Sequence, residues 1–64
     1  MIKQFQIEER DLKRLQNAIK TIDNPRIIVI INRNMKGYTI KIEGNQSDVE
    51  LFIDRLETFE IIIN

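Results

Sequence analysis

The chain has 64 residues, 10 basic and 10 acidic, and it contains no Cys and no His. This length predicts one small α/β domain over residues 1–64, and the composition excludes a disulfide, a thiolate metal ligand and a histidine base. A domain this small buries only about 60% of the surface that its unfolded chain exposes, so we expect self-association to reinforce it.

The same features predict a soluble, cytoplasmic protein. Polar residues interrupt the N-terminal stretch at once, so no signal peptide is expected. The longest apolar run, residues 27–31, is far too short to cross a bilayer. The lack of Cys fits a reducing compartment.

The first half of the chain predicts a strand, a helix and a second strand. Residues 2–7 alternate polar and apolar side chains, which is typical of a strand. Acidic residues then open a helix with an apolar stripe at three- and four-residue steps, and Asn24-Pro25 ends it. Residues 26–32 form the next strand, because residues 27–31 are all β-branched and apolar.

The second half predicts a hairpin, a helix and a last strand. Residues 33–37 form the hairpin loop, with Gly37 and Asn34 as candidates for positive φ. Residues 38–43 alternate as a third strand. Asn45 or Ser47 caps a second helix, and residues 58–63 read as a fourth strand.

This order predicts an α+β, ferredoxin-like β-α-β-β-α-β fold, with a four-stranded antiparallel sheet and two helices on one face. Strands one and three would be central, and strands two and four would be edges. The predicted core also takes alternate residues of the second strand, and otherwise comprises Phe5, Ile7, Leu12, Leu15, Ile19, Ile22, Tyr38, Ile40, Ile42, Val49, Phe52, Ile53, Leu56, Phe59, Ile61 and Ile63.

The second strand is the main candidate for binding. It is apolar on both faces although the topology makes it an edge, and such an edge is a template for pairing with another chain. Its uncovered face holds either Ile28 and Ile30, or Ile27, Val29 and Ile31. We therefore predict a homodimer or larger closed oligomer, and the self-association residues are Ile27, Ile28, Val29, Ile30, Ile31, Ile2 and Ile62.

A second candidate is a basic surface. Residues 1–42 carry nine Lys/Arg and four Asp/Glu, whereas residues 43–64 carry one Arg and six acids. Possible phosphate contacts are Arg10, Lys13, Arg14, Lys20, Arg33 and Lys36. Three acids lie beside them, and the pairing of Glu9 with Lys13 across one turn favours a solvated helix face instead. Nucleic acid is therefore the weaker prediction.

Catalysis is not predicted, and neither is a cofactor or a metal site. The single Ser, Ser47, is better explained as a helix cap, and no Thr has an activating partner. Two Gly residues cannot form a phosphate-binding loop, and the acids lack the spacing of a calcium loop.

Three families share parts of this architecture. An RRM has the same element order, but it stacks bases on sheet aromatics, and the open-face positions here hold none. The stretch Thr39-Ile40-Lys41-Ile42-Glu43-Gly44 before a helix resembles the end of a KH domain, without the Gly-x-x-Gly clamp that would imply RNA contact. The element order also resembles ACT-type regulatory domains, which implies edge pairing and a small ligand between protomers.

These observations favour a non-enzymatic interaction or regulatory module that self-associates and binds another protein. Its short length and its Ile-, Asn- and Lys-rich composition suit a bacterial or phage accessory protein or inhibitor. The alternatives are a nucleic-acid-binding module that uses the basic first helix and hairpin loop, and a small-ligand sensor of ACT-like architecture.

Overall fold

The structure is a computed structural model that describes residues 1–61. It has an α+β fold with three strands and two helices. In chain order these are β1 (Ile2–Ile7), a 3-10 turn (Glu9–Asp11), α1 (Leu12–Ile22), β2 (Ile28–Asn34), β3 (Gly37–Glu43) and α2 (Gln46–Thr58). The strands form one antiparallel sheet in the order β1-β3-β2, so β3 is central.

The predicted four-stranded ferredoxin-like sheet is therefore wrong for this chain. Residues 58–61, expected to start the fourth strand, instead hold the end of α2 and the turn that follows it. The N–H of Phe59 donates to the Leu56 carbonyl at 3.0 Å, and Glu60 adopts a left-handed φ of 62°. Leu56 and Phe59 are also spaced three apart, as on a helix, so a short alternating run here could not distinguish the two structures. Ile62 and Ile63 lie outside the described residues.

One face of the sheet and both helices enclose the core. The buried members are Phe5, Ile7, Leu15, Ala18, Ile40, Ile42, Val49, Phe52, Leu56 and Ile61. A partly buried shell surrounds them, made of Leu12, Ile19, Ile22, Ile27, Val29, Ile31, Tyr38, Ile53 and Phe59. Every predicted core residue within residues 1–61 is in one of these sets. Ala18, three residues after Leu15 on the α1 stripe, was missed because its side chain is small.

Helix ends and turns account for the shifts in element boundaries. α1 stops at Ile22, because Asp23 adopts a left-handed φ of 42°. The backbone carbonyl of Asn24 then accepts a hydrogen bond from the Ile27 N–H at 3.1 Å. Its side-chain oxygen accepts one from the Arg26 N–H at 3.0 Å. These bonds hold residues 26 and 27 in the turn, so β2 begins two residues later than predicted.

The hairpin and the second helix cap follow local polar chemistry. Gly37 has a φ of 143°, as its predicted role requires, but Asn34 keeps a negative φ. The Asn34 side chain instead accepts the Lys36 N–H at 2.8 Å and so shapes the turn. For α2, the cap is Asn45, whose side chain accepts the Asp48 N–H at 2.9 Å, and Ser47 lies inside the helix.

Candidate interaction surface

The sheet face opposite the helices is the candidate site, and the strand register defines it. Three rows cross this face from β1 through β3 to β2. The rows are Ile2–Glu43–Ile28, then Gln4–Lys41–Ile30, then Gln6–Thr39–Asn32. The face is apolar at one end and polar at the other.

The apolar end is open to solvent. Ile2 is 54% exposed, Ile28 57% and Ile30 38%. The two β2 residues are neighbours on one face of the strand, whereas Ile2 lies across β3, about 10 Å away at two strand spacings. Of the two arrangements predicted for β2, the structure has Ile28 and Ile30 on the uncovered face.

The other predicted self-association residues have different surroundings. Ile27, Val29 and Ile31 are partly buried against the core. Ile62 lies outside the described residues. The exposed apolar set in the described part of the sheet is therefore Ile28 and Ile30 on β2, with Ile2 on the far strand.

The outer edge of β2 is a second part of the surface. Within residues 1–61, β2 pairs only with β3, so its other edge has no strand beside it. Backbone N–H and C=O groups along such an edge can pair with another chain. The β2 edge and its open face together offer backbone hydrogen bonds and apolar contact area.

The helix layer also leaves β2 partly uncovered. A groove of about 290 Å³ runs beside the strand between the end of α1 and α2. It is lined by Ile19, Asp23, Asn24, Ile27, Val29 and Phe52. The sequence pattern does not predict this groove, because the width of the gap between a helix and an edge strand depends on how the helices pack.

Charged side chains on β3 border the isoleucines. Lys41 lies opposite Ile30, and Glu43 lies opposite Ile28. The predicted hairpin loop, residues 33–37, left the register between these charges and β2 undefined, whereas a shorter turn defines it. A two-residue turn joins Asn34 to Gly37, and counting back from that pair gives both contacts.

The basic candidates do not form a free cationic surface. Three of them pair with acids: Arg10 with Glu8 at 2.9 Å, Arg33 with Glu9 at 3.6 Å, and Arg14 with Asp11 at 3.9 Å. Glu9 lies in the 3-10 turn before α1, so the helical spacing that predicted its pairing with Lys13 does not apply. These exposed pairs reduce the positive potential that phosphates would meet.

The remaining basic residues are spread along the molecule. Lys13 and Lys20 are exposed on α1, seven residues apart, and Lys36 is exposed in the hairpin turn. The Glu9–Arg33 pair does bring the start of α1 beside the hairpin, as the nucleic-acid hypothesis required. However, the residue of the α1 side that makes this contact is Glu9, whose negative charge offsets the positive charge of Arg33 at the proposed phosphate site.

Residues 1–61 contain no group of three or more acidic side chains placed to hold a metal ion. Over the same range, neither helix has the length and apolar character needed to span a membrane.

Comparison with known proteins finds no matching family model, no matching curated protein and no matching solved structure.

Proposed function

We propose that this chain is a non-enzymatic interaction module, which associates with itself and binds another protein in the cytoplasm. One observation carries the proposal. The edge strand β2 presents exposed Ile28 and Ile30 on one face and an unpaired backbone edge beside them, within the described residues. Natural proteins guard sheet edges with charges, bulges or covering segments.

The surroundings of β2 support the same proposal. Within β2 the one charged residue is Arg33, near its end, so the segment 28–31 carries no charge that would guard the edge. Two branched aliphatic side chains in water lack the favourable free energy that burial against a partner would give, and the backbone groups beside them can exchange water for hydrogen bonds to that partner. A binding role gives that exposure a function.

The ion pairs of Arg10, Arg14 and Arg33 count against the nucleic-acid alternative. Arginines that already pair with carboxylates must give up those pairs before they can neutralise phosphates and release counterions from the nucleic acid. A protein surface is therefore the favoured partner.

Sedimentation velocity on two matched variants tests the proposal. We expect the wild type to associate at high micromolar concentration and Ile28→Lys, Ile30→Lys to be monomeric, because the added charges repel across a paired edge. The control is Gln4→Lys, Gln6→Lys, which adds the same charge to the same face on β1. It should associate like the wild type.

Two results would contradict the proposal. One is a wild type that stays monomeric throughout the concentration series. The other is a β2 variant that associates as strongly as the wild type while its circular dichroism shows an intact fold.

A further inference from the structure

The hydrogen-bond pattern of the sheet shows which backbone groups of β2 point outward. The N–H of Gly44 donates to the Met1 carbonyl at 3.1 Å, and the Met1 ammonium donates to the Gly44 carbonyl at 2.7 Å. Gly44 therefore bonds toward β1. Because the direction alternates along an antiparallel strand, Glu43 bonds toward β2 and pairs with Ile28.

The same alternation continues along β2. Ile28 and Ile30 use their backbone groups on β3, so those of Val29 and Ile31 point away from the sheet. Their side chains lie on the helix side, in the partly buried shell. A chain that paired here would form hydrogen bonds with the backbone of Val29 and Ile31. Its side chains would contact those of β2 on both faces of the sheet.

We propose that the occupant of this edge is a second copy of this chain, paired antiparallel through β2 about a two-fold axis at Val29. The inference rests on the proposed self-association and specifies its geometry. Antiparallel pairing about a two-fold axis keeps each face of the sheet on its own side, so directly opposed residues must share a face. Only a few registers meet that condition.

Side-chain matching selects one of them. With the axis at Val29, Ile28 lies opposite Ile30 of the second copy and Val29 lies opposite Val29, so the paired strand segment covers residues 28–30. The side chain of Ile31 lies beside that of Ile27, which precedes β2 and whose N–H already donates to the Asn24 carbonyl. The side chains of residues 27–31 then all meet apolar partners. An axis at Ile30 would set Ile28 against Asn32, and an axis at Ile28 would set Ile30 against Arg26.

This pairing covers the edge on both sides of the sheet. On the helix side, Val29 of the second copy lies against Val29 at the mouth of the groove that also contains Ile19 and Ile27. On the open face, Ile28 and Ile30 of the two copies join into one patch of four isoleucines. Neither copy alone forms that patch, which is the surface available to another protein.

Disulfide trapping tests the register, and the chain suits it because it contains no Cys. Opposed residues 28 and 30 would form a non-hydrogen-bonded pair with Cα atoms about 4.5 Å apart, within disulfide range. Two copies of residue 30 would be diagonal neighbours about 8 Å apart, too far for a disulfide.

The experiment mixes Ile28→Cys and Ile30→Cys proteins in a glutathione buffer and measures covalent dimers by intact mass. We expect the mixed disulfide to exceed either homodisulfide about tenfold, given the difference in reach between the two distances. Gln4→Cys, on the same face of β1, is the matched control and should give only background dimer. Circular dichroism confirms that each variant is folded.

The outcomes separate this inference from the proposed function. Efficient trapping of Ile30→Cys with itself would place the axis at Ile30 and overturn the register, while self-association through β2 would stand. A wild type that sediments as a dimer without any trapping on β2 would also overturn it. A monomeric wild type would overturn both.

Discussion

The two faces of the sheet carry similar side chains in opposite environments. On the helix side, Ile40 and Ile42 of β3 are fully buried, whereas Ile28 and Ile30 of β2 lie open on the other face. Residue type does not distinguish them, since all four are isoleucine. The difference is that both helices cover one side, which shows that an apolar strand position is a core position only where another layer covers it.

The sharpest test of this comparison lies on α2, where neighbouring residues belong to the two environments. Phe52 is 2% exposed and packs in the core, and Leu51 beside it is 51% exposed. Phe52→Ala should lower the free energy of unfolding by about 3–5 kcal/mol, which approaches the whole stability of a small domain. Leu51→Ala, the control, should change it by less than about 0.5 kcal/mol.

Urea unfolding followed by circular dichroism measures both values. The protein concentration must be the same in each series, because self-association raises apparent stability. Equal losses in the two variants would mean that α2 faces the sheet with a different side.

A smaller effect compares the sheet faces directly. Ile42→Val removes one methylene from the buried face and should cost about 0.5–1.5 kcal/mol in unfolding free energy. Ile28→Val removes the same group from the open face and should cost close to nothing in dilute solution, where the chain is monomeric.

The Ile28→Val effect should then grow as protein concentration rises, because association buries that side chain beside a second copy. A cost for Ile28→Val in dilute solution equal to that for Ile42→Val would show that the open face is already covered within the monomer.

The smallest expected effect concerns the basic residues of α1 and of the 3-10 turn before it. Nucleic-acid affinity should be micromolar or weaker at physiological salt, in the range of non-specific contacts. Replacing Arg10, Lys13 and Arg14 with Ala should weaken it only slightly, because two of the three already face carboxylates.

A gel-shift salt titration with duplex DNA and single-stranded RNA makes that measurement. Nanomolar binding that resists added salt and disappears in the triple variant would make nucleic acid, and not another protein, the favoured partner.

Local patterns predicted most elements of the fold. β1 was predicted over residues 2–7 and is found there, and the alternation along β3 gave the correct buried face through Ile40 and Ile42. The helix stripes were correct because apolar spacing of three and four residues has few alternatives over a long segment. The alternation that predicted a fourth strand is shorter, and in the described residues 58–61 it gives way to the end of α2 and the turn after it, so the strand prediction is wrong there.

The sequence predicted which strand forms the candidate site but not which of its faces is exposed. Five consecutive β-branched residues marked β2 as a strand that needs cover on both faces. Which of its faces stays open could not be decided, because a continuous apolar run has no period of two. The ion-pair partners of the basic residues could not all be predicted either, since Glu9 and Arg33 are far apart in the chain and meet only in the folded structure.

By itself, the sequence determined the element types, the core stripes of the helices and the absence of thiol and imidazole chemistry, since each depends on residue identity or short-range spacing. Only the tertiary structure decided that α2 runs on to Thr58, that β1 is an edge of the described sheet rather than a central strand, and that Ile28 and Ile30 face away from the helices. Those outcomes depend on contacts between segments distant in the chain. Their energies come from shared burial, which no local pattern of residues records.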